Sequence, residues 1–338
     1  MSIIIPTQNR SSMLICLLNS LINQKLPSSV YEILVIDNAP TDNTEELVKC
    51  FIMQHPAYRI HYTYEEIPGL LSGRHHGLKE AHADILTFLD DDVVLEPEYT
   101  LHILRAFADN RVDIVGGPSI PRFEKEAPAW LEHYFHKEKN GMITCFPLSL
   151  LDFGNKAKDI APEYVFGLNF SVRKQALCDL GGFHPDCYPQ ELLLLMGDGE
   201  TGLTLKAKEQ GMTARYEPGA RVEHIIPASR LTEAYFKFRF FTQGISNSYT
   251  AIRRGNGISD IALPEYRAEN IQNSEDRYAR IHNAYVDGFL YHQGAVRQNP
   301  ELLSWVLRTT YFDYTYPDVS NMRKWERPKF IQELISHI

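Results

Sequence analysis

Through the first third of the chain, short apolar β-branched runs alternate with apolar positions at helical spacing. Residues 3–5 form an apolar run that stops at Pro6, a strand signal. Leu14, Leu17, Leu18, Leu21 and Ile22 then recur at helical spacing, with Ser11 or Ser12 placed to cap a helix and Pro27 to end it. The pattern repeats. It predicts a strand over 33–36, broken by Asp37-Asn38-Ala39-Pro40, and a helix to 51 capped by Thr41 or Asp42. A strand over 59–64, a loop at 69–73 and a helix over 75–83 follow. A strand over 85–89 runs straight into Asp90-Asp91-Asp92, and a helix over 98–108 and a strand over 113–115 come next. Such alternation implies a mostly parallel sheet covered on both faces. Ligands of such sheets gather beyond the carboxyl ends of the strands. Three polar clusters stand at predicted strand ends: residues 7–10, 37–38 and 90–92.

Beyond residue 116 the pattern loosens. Pro118, Pro121, Pro128 and Pro147 punctuate 116–152, which reads as a loop-rich insertion. A strand over 165–172, a helix over 174–180 stopped by Gly181-Gly182, and a helix over 201–210 closed by Gly211 follow. Residues 231–253 spell a long amphipathic helix rich in aromatic residues, and the tail from about 273 reads as helical and Tyr-rich. This divides the chain into residues 1–230, with halves 1–117 and 118–230, and a helical extension over 231–338.

Composition narrows the classes. The 338 residues carry 34 Lys plus Arg against 43 Asp plus Glu, a net charge of −9, which argues against a nucleic-acid partner. The cysteine count of 5 is odd and no CxxC occurs, so neither a disulfide framework nor a structural zinc site is expected, and a reducing compartment is the simpler reading. The start lacks a basic segment leading into a long apolar core, and the apolar stretches fall short of the roughly 20 residues that span a bilayer. The expectation is a soluble, cytoplasmic or peripheral protein.

Asp90-Asp91-Asp92 is the strongest chemical signal. Adjacent carboxylates repel unless a cation lies among them. In an extended segment Asp90 and Asp92 point to one side. Oxygen ligands of this kind suit Mg²⁺ or Mn²⁺ shared with substrate phosphates, whereas a solvated acidic turn is the bland alternative.

Here the chain resembles a family. SIIIPTQNR, EILVIDNAPTDNT and PGLLSGRHHGLKEAHADILTFLDDDVVLEP, then GLNFSVRKQALCDLGGF, GDGETGLTLKAKEQGM and HIIPASR, stand in the order found in family 2 glycosyltransferases of the GT-A fold. The resemblance covers roughly residues 2–230. It implies an α/β fold with a nucleotide-binding, mostly parallel sheet. It implies metal-dependent, inverting transfer from a UDP-, dTDP- or GDP-sugar to a glycan or lipid-linked glycan. Pro6, Thr7, Asn9 and Arg10 would line the nucleotide pocket, and Asp37 would bond the base. Arg74 would face the nucleotide or its diphosphate. Asp90 would bond the ribose, with Asp91 beside it on the donor side. Asp92 would hold Mn²⁺ or Mg²⁺, with His224 approaching the same ion or the leaving phosphate. Apart from the resemblance, Trp130 could offer an aromatic platform for an acceptor sugar ring, and Asn169 would bond the acceptor or position the base. The chain departs from the family pattern at Gln8, where Tyr is usual, and at His75, where Asn is usual.

Asp198 and Glu200 flank Gly199 just before a helix. Inverting transfer needs one base to take the acceptor hydroxyl's proton. Anchoring on Gly197 favours Asp198 for that role, and anchoring on the following helix favours Glu200. Either could instead cap the helix. The helix over 231–253 reads either as packing on a core or as lying on a membrane surface near a lipid-linked acceptor. Two other functions compete. A sugar nucleotidyltransferase would need a glycine-rich, Lys-bearing loop after the first strand, which residues 6–12 lack. A catalytically silent nucleotide-sugar or glycan binder would not need the acidic pair.

Overall fold

The computed structural model describes residues 1–139, 141–188, 190–255, 257, 276–313 and 316. They divide into two compact units. The first comprises Met1–Phe183 and Glu200–Ile226; the second comprises His184–Gly199 and the described residues from Pro227 onward.

The first unit begins with β1 (Ser2–Thr7), α1 (Ser11–Ile22), β2 (Glu32–Asn38), α2 (Thr44–Gln54), β3 (Ile60–Glu65), α3 (Leu70–Glu80) and β4 (Ile85–Leu89). These are followed by β5 (Val93–Leu95), α4 (Tyr99–Ala106), β6 (Val112–Gly116), β7 (Ser119–Phe123), β8 (His136–Lys137), β9 (Ile143–Cys145) and β10 (Leu150–Asp152). Then come β11 (Lys158–Ile160), β12 (Asn169–Arg173), α5 (Lys174–Asp179), α6 (Gly199–Glu209), β13 (Thr213–Tyr216) and β14 (Val222–Ile226).

The main sheet has the order β11-β13-β6-β12-β4-β1-β2-β3. β1 lies parallel to β2 and β4, and β2 parallel to β3, as the strand–helix alternation predicts. Every residue of β1 and β2 is buried, which explains their unbroken apolar runs. α1 covers one face through Leu14, Leu17, Leu18 and Leu21. β12 departs from the parallel pattern and runs antiparallel to both β4 and β6.

Three expectations need correction. The region 116–152 is not a bare insertion, because β7–β10 join β5 and β14 in a second sheet of order β5-β14-β7-β10-β9-β8. Its strands are two to five residues long, and β14 joins β5 and β7 from far along the chain, which leaves little local periodicity to read. α3 starts at Leu70 rather than 75. Gly69 takes φ 119°, the Asn38 Oδ1 accepts from its N–H at 2.8 Å, and Ser72 Oγ donates to its carbonyl at 2.7 Å. The strand expected from 165 starts at Asn169, because 162–164 form a 3₁₀ turn and Asn169 N donates to the Phe166 carbonyl.

In the second unit, α7 (Glu233–Arg254), α8 (Arg277–Gln298) and α9 (Pro300–Val306) realise the predicted helical extension. The portions of that extension at 258–275 and 317–338 lie outside the described residues. Thr232 caps α7 by accepting from Tyr235 N at 3.2 Å, a bond worth about 1 kcal/mol. α7 and α8 approach closely at two glycines. A Cβ on Gly244 would stand 2.1 Å from the Tyr285 carbonyl oxygen, and one on Gly288 would stand 2.0 Å from that of Phe241. Burial holds His292 far below the usual histidine range, at about 3, with Ser248 Oγ 2.8 Å from its Nδ1. Among the described residues, no helix is long and apolar enough to cross a membrane.

Candidate active site

The three strand-end clusters come together in the first unit because β4, β1 and β2 are neighbours. Thr7 and Asp37 are register partners at the ends of β1 and β2. The Thr7 hydroxyl donates to Asp91 Oδ2 at 2.7 Å. Arg10 donates to Asp91 Oδ1 at 3.2 Å and to Asp92 Oδ2 at 3.3 Å. Burial pushes the Asp91 carboxyl above its ordinary value, against the pull of Arg10. Asp91 is therefore engaged in joining the end of β1 to the acidic turn. Asn9 adopts φ 55°, and its Oδ1 accepts from Thr41 N at 2.7 Å. Pro6 packs on α3 at Gly73, where a Cβ would stand 3.0 Å from the Pro6 Cβ.

The second sheet delivers His224. β14 pairs with β5, which begins just after Asp92, so His224 lies opposite Val93. Its Nε2 stands 3.4 Å from Asp92 Oδ1, and both side chains are buried. Its Nδ1 lies 3.0 Å from the Leu148 carbonyl oxygen, which can only accept, so Nδ1 carries a proton. In a neutral ring that places the Nε2 lone pair against a carboxylate oxygen. Two acceptors at that distance call for a proton or a cation. Among the described residues, no three His, Cys, Asp or Glu side chains gather as a metal cage. Asp92 and His224 thus offer a partial ligand set, of the sort completed by phosphate oxygens and water.

Asp37 is fully buried. Tyr62 donates to its Oδ2 at 2.9 Å, while Oδ1 has no hydrogen-bond partner among the described residues. Burial pushes its carboxyl up to about 6, opposed by the Tyr62 bond and reinforced by Asp42 and Glu45. A buried acceptor left in this state suits a ligand N–H.

Arg74 projects from α3 and is 2% exposed. Its guanidinium stands 3.8 Å from Asp90 Oδ1 and 3.6 Å from Glu200 Oε2, with its central carbon 4.7 Å from the centre of the Phe183 ring. Glu200 opens α6, and its Oε1 accepts from Gly167 N at 3.1 Å. The neighbouring His75 accepts from Phe183 N through Nε2 at 3.0 Å, so this departure from the family pattern ties α3 to the end of α5's loop.

Asp198 has different surroundings, within the second unit. His184 Nδ1 lies 2.6 Å from its Oδ1, and the Thr250 hydroxyl donates to Oδ2 at 2.7 Å. Burial alone would raise its carboxyl, but His184 and Thr250 together hold it below the ordinary value. Asn169 is buried too, with Tyr99 donating to its Oδ1 at 2.7 Å and its amide donating to the Ala220 carbonyl at 2.9 Å. Trp130 sits in the turn at Ala129–Tyr134, edge-on to the Tyr134 ring at 6.0 Å. Tyr62, Gly167, His184 and Thr250 join these sites without having stood among the candidates from sequence. Tyr62 and Thr250 lie within predicted elements, and only their alignment with an acid far along the chain marks them.

Comparison with known proteins agrees with this architecture. The model of glycosyl transferase family 2 matches residues 2–171, half of the chain. The chain belongs to that family. It is similar to glycosyltransferase AglE of Haloferax volcanii, with 31% identity over 116 residues, covering 34% of this chain and 38% of that protein. It is also similar to the validoxylamine A glucosyltransferase of Streptomyces hygroscopicus subsp. jinggangensis, with 34% identity over 110 residues, covering 32% of this chain and 25% of the relative. The matched parts thus span well under half of these relatives. Among solved structures, mannosyltransferase PcManGT from Pyrobaculum calidifontis, in complex with GDP-Man and Mn²⁺, superposes with a TM-score of 0.54 at 17% identity. The match covers 99% of this chain and 78% of that one. This likeness shows the fold, which is the GT-A fold expected from the sequence.

Proposed function

We propose that the protein is a metal-dependent, inverting glycosyltransferase that moves a sugar from a nucleoside-diphosphate donor to a hydroxyl of a glycan or lipid-linked glycan. The arrangement around Arg74 carries this reading: one buried guanidinium joins Asp90, at the donor strand end, to Glu200. Glu200 is the general base. Asp37 accepts an N–H of the nucleobase through its open oxygen, which favours uracil, thymine or guanine, whose ring N–H can donate. Asp90 takes the ribose hydroxyls, while Thr7, Arg10 and Asp91 shape the pocket floor.

Asp92 and His224 would hold Mn²⁺ or Mg²⁺, and their facing acceptor atoms fit such an ion. When bound, the ion neutralises the diphosphate charge that develops as the nucleotide leaves. Glu200 Oε2 takes the proton of the attacking hydroxyl as the new glycosidic bond forms at the anomeric carbon and the bond to the diphosphate breaks. Asp198, held by His184 and Thr250, serves the packing of the second unit. The GDP-Man and Mn²⁺ of the Pyrobaculum structure support the donor class and the ion.

Calorimetric titration of UDP, dTDP and GDP with Mn²⁺ tests the ligand assignment. At least one is expected to bind in a Mn²⁺-dependent manner, and Asp92→Ala should remove that dependence. Mn²⁺-dependent binding that survives Asp92→Ala unchanged would overturn the assignment of Asp92.

A further inference from the structure

The loop leading into β12 carries a residue with no side chain at a crowded position. A Cβ on Gly167 would stand 2.4 Å from an Arg74 guanidinium nitrogen and 3.0 Å from both Cδ and Oε2 of Glu200. The same residue donates its N–H to Glu200 Oε1 at 3.1 Å. Arg74 lies on the other oxygen at 3.6 Å, a distance that leaves Oε2 able to accept a hydroxyl proton. Arg74 is fixed in turn by the Phe183 ring at 4.7 Å and by Asp90 at 3.8 Å.

We propose that Gly167 and Arg74 are positioning residues that clamp Glu200 with one oxygen bound to the Gly167 N–H and the other presented to the acceptor hydroxyl. This rests on the reading of Glu200 as the base. A carboxylate on an unrestrained Glu side chain samples many rotamers, and a base misplaced by about 1 Å can cost around 10²-fold in rate. Here the backbone amide selects one oxygen and the guanidinium selects the plane. Because Arg74 also meets Asp90, the base is aligned on the group assigned to the donor ribose. A Cβ at 167 would force the guanidinium of Arg74 or the carboxylate of Glu200 to shift from this arrangement.

The experiment is steady-state kinetics of sugar transfer by Gly167→Ala, Glu200→Gln and the double variant, with donor affinity measured separately by calorimetry with the nucleoside diphosphate and Mn²⁺. Gly167→Ala is expected to lower kcat by about 10–10²-fold with a much smaller change in donor affinity, transmitted through the Arg74–Asp90 contact. In the Glu200→Gln background the same substitution should have almost no further effect, because residues acting as a unit are not additive. A Gly167→Ala effect that multiplies with Glu200→Gln, or that falls on donor affinity instead of kcat, would overturn the clamp while leaving the base assignment standing. Full activity of Glu200→Gln would overturn the base assignment itself. If Gly167→Ala does not fold, Arg74→Lys decides by the same criterion. It keeps the charge and loses the planar fork, so it should lower kcat in the wild-type background but not in the Glu200→Gln background.

Discussion

Glu200→Gln is expected to lower kcat for sugar transfer by about 10²–10⁴-fold while donor binding persists. The amide cannot take a proton from the acceptor hydroxyl. It still accepts from the Gly167 N–H, and it fills the same space beside Arg74. Donor affinity should survive because the groups assigned to the nucleotide, Asp37, Asp90 and Asp92, are untouched. Rate measurement beside calorimetry separates the two effects. A variant that keeps transfer would return the base role to Asp198, the other acid of the sequence motif. The structure gives a reason to expect otherwise, since both Asp198 oxygens are engaged within the second unit.

Asp198→Ala should therefore act on stability. Removing a buried carboxylate that accepts two hydrogen bonds costs about 1–3 kcal/mol for each partner left unsatisfied. Here His184 and Thr250 both lose an acceptor. The thermal midpoint is expected to fall by roughly 3–8 °C, with faster hydrogen exchange in α7, which carries Thr250. The pH dependence has a defined sign. The Asp198 carboxyl is held below its ordinary value in the folded protein, so its stabilising contribution is complete above the unfolded value near 4. It is lost as pH falls through the lower folded value. Wild-type and Asp198→Ala stabilities should thus converge in acid, whereas a constant gap across pH would mean that the Asp198 charge does not matter.

The parallel core was legible in the sequence because β1 and β2 are buried throughout and spell apolar runs, at residues 3–5 and 33–36. The second sheet was not. Its strands are short, and β14 pairs with β5 and β7 from a hundred or so residues away. The strand-end clusters were legible as clusters, since topology alone places the ends of adjacent parallel strands together. Individual roles were less so. Arg74 read as a residue at the end of a loop, and the Asn38 contacts that start α3 at Leu70 place it instead on a buried helix face. Asp198 and Glu200 were interchangeable as letters two positions apart. What separates them is their partners: His184 and Thr250 for one, Arg74 and Gly167 for the other. Asn169 shows the reverse case, a polar residue read as reaching for the acceptor whose amide is engaged by Tyr99 and Ala220. Hydrogen-bond partners brought from distant parts of the chain leave no local pattern.

Direct displacement with Glu200 as the base fixes the stereochemistry of the product. The most direct measurement is a proton NMR time course of the sugar released from a nucleotide-sugar donor when water serves as acceptor, read before mutarotation. The expected first product has the anomeric configuration opposite to that of the donor, and its formation is lost in Glu200→Gln. A first product that retains the donor's configuration would contradict the single-displacement account.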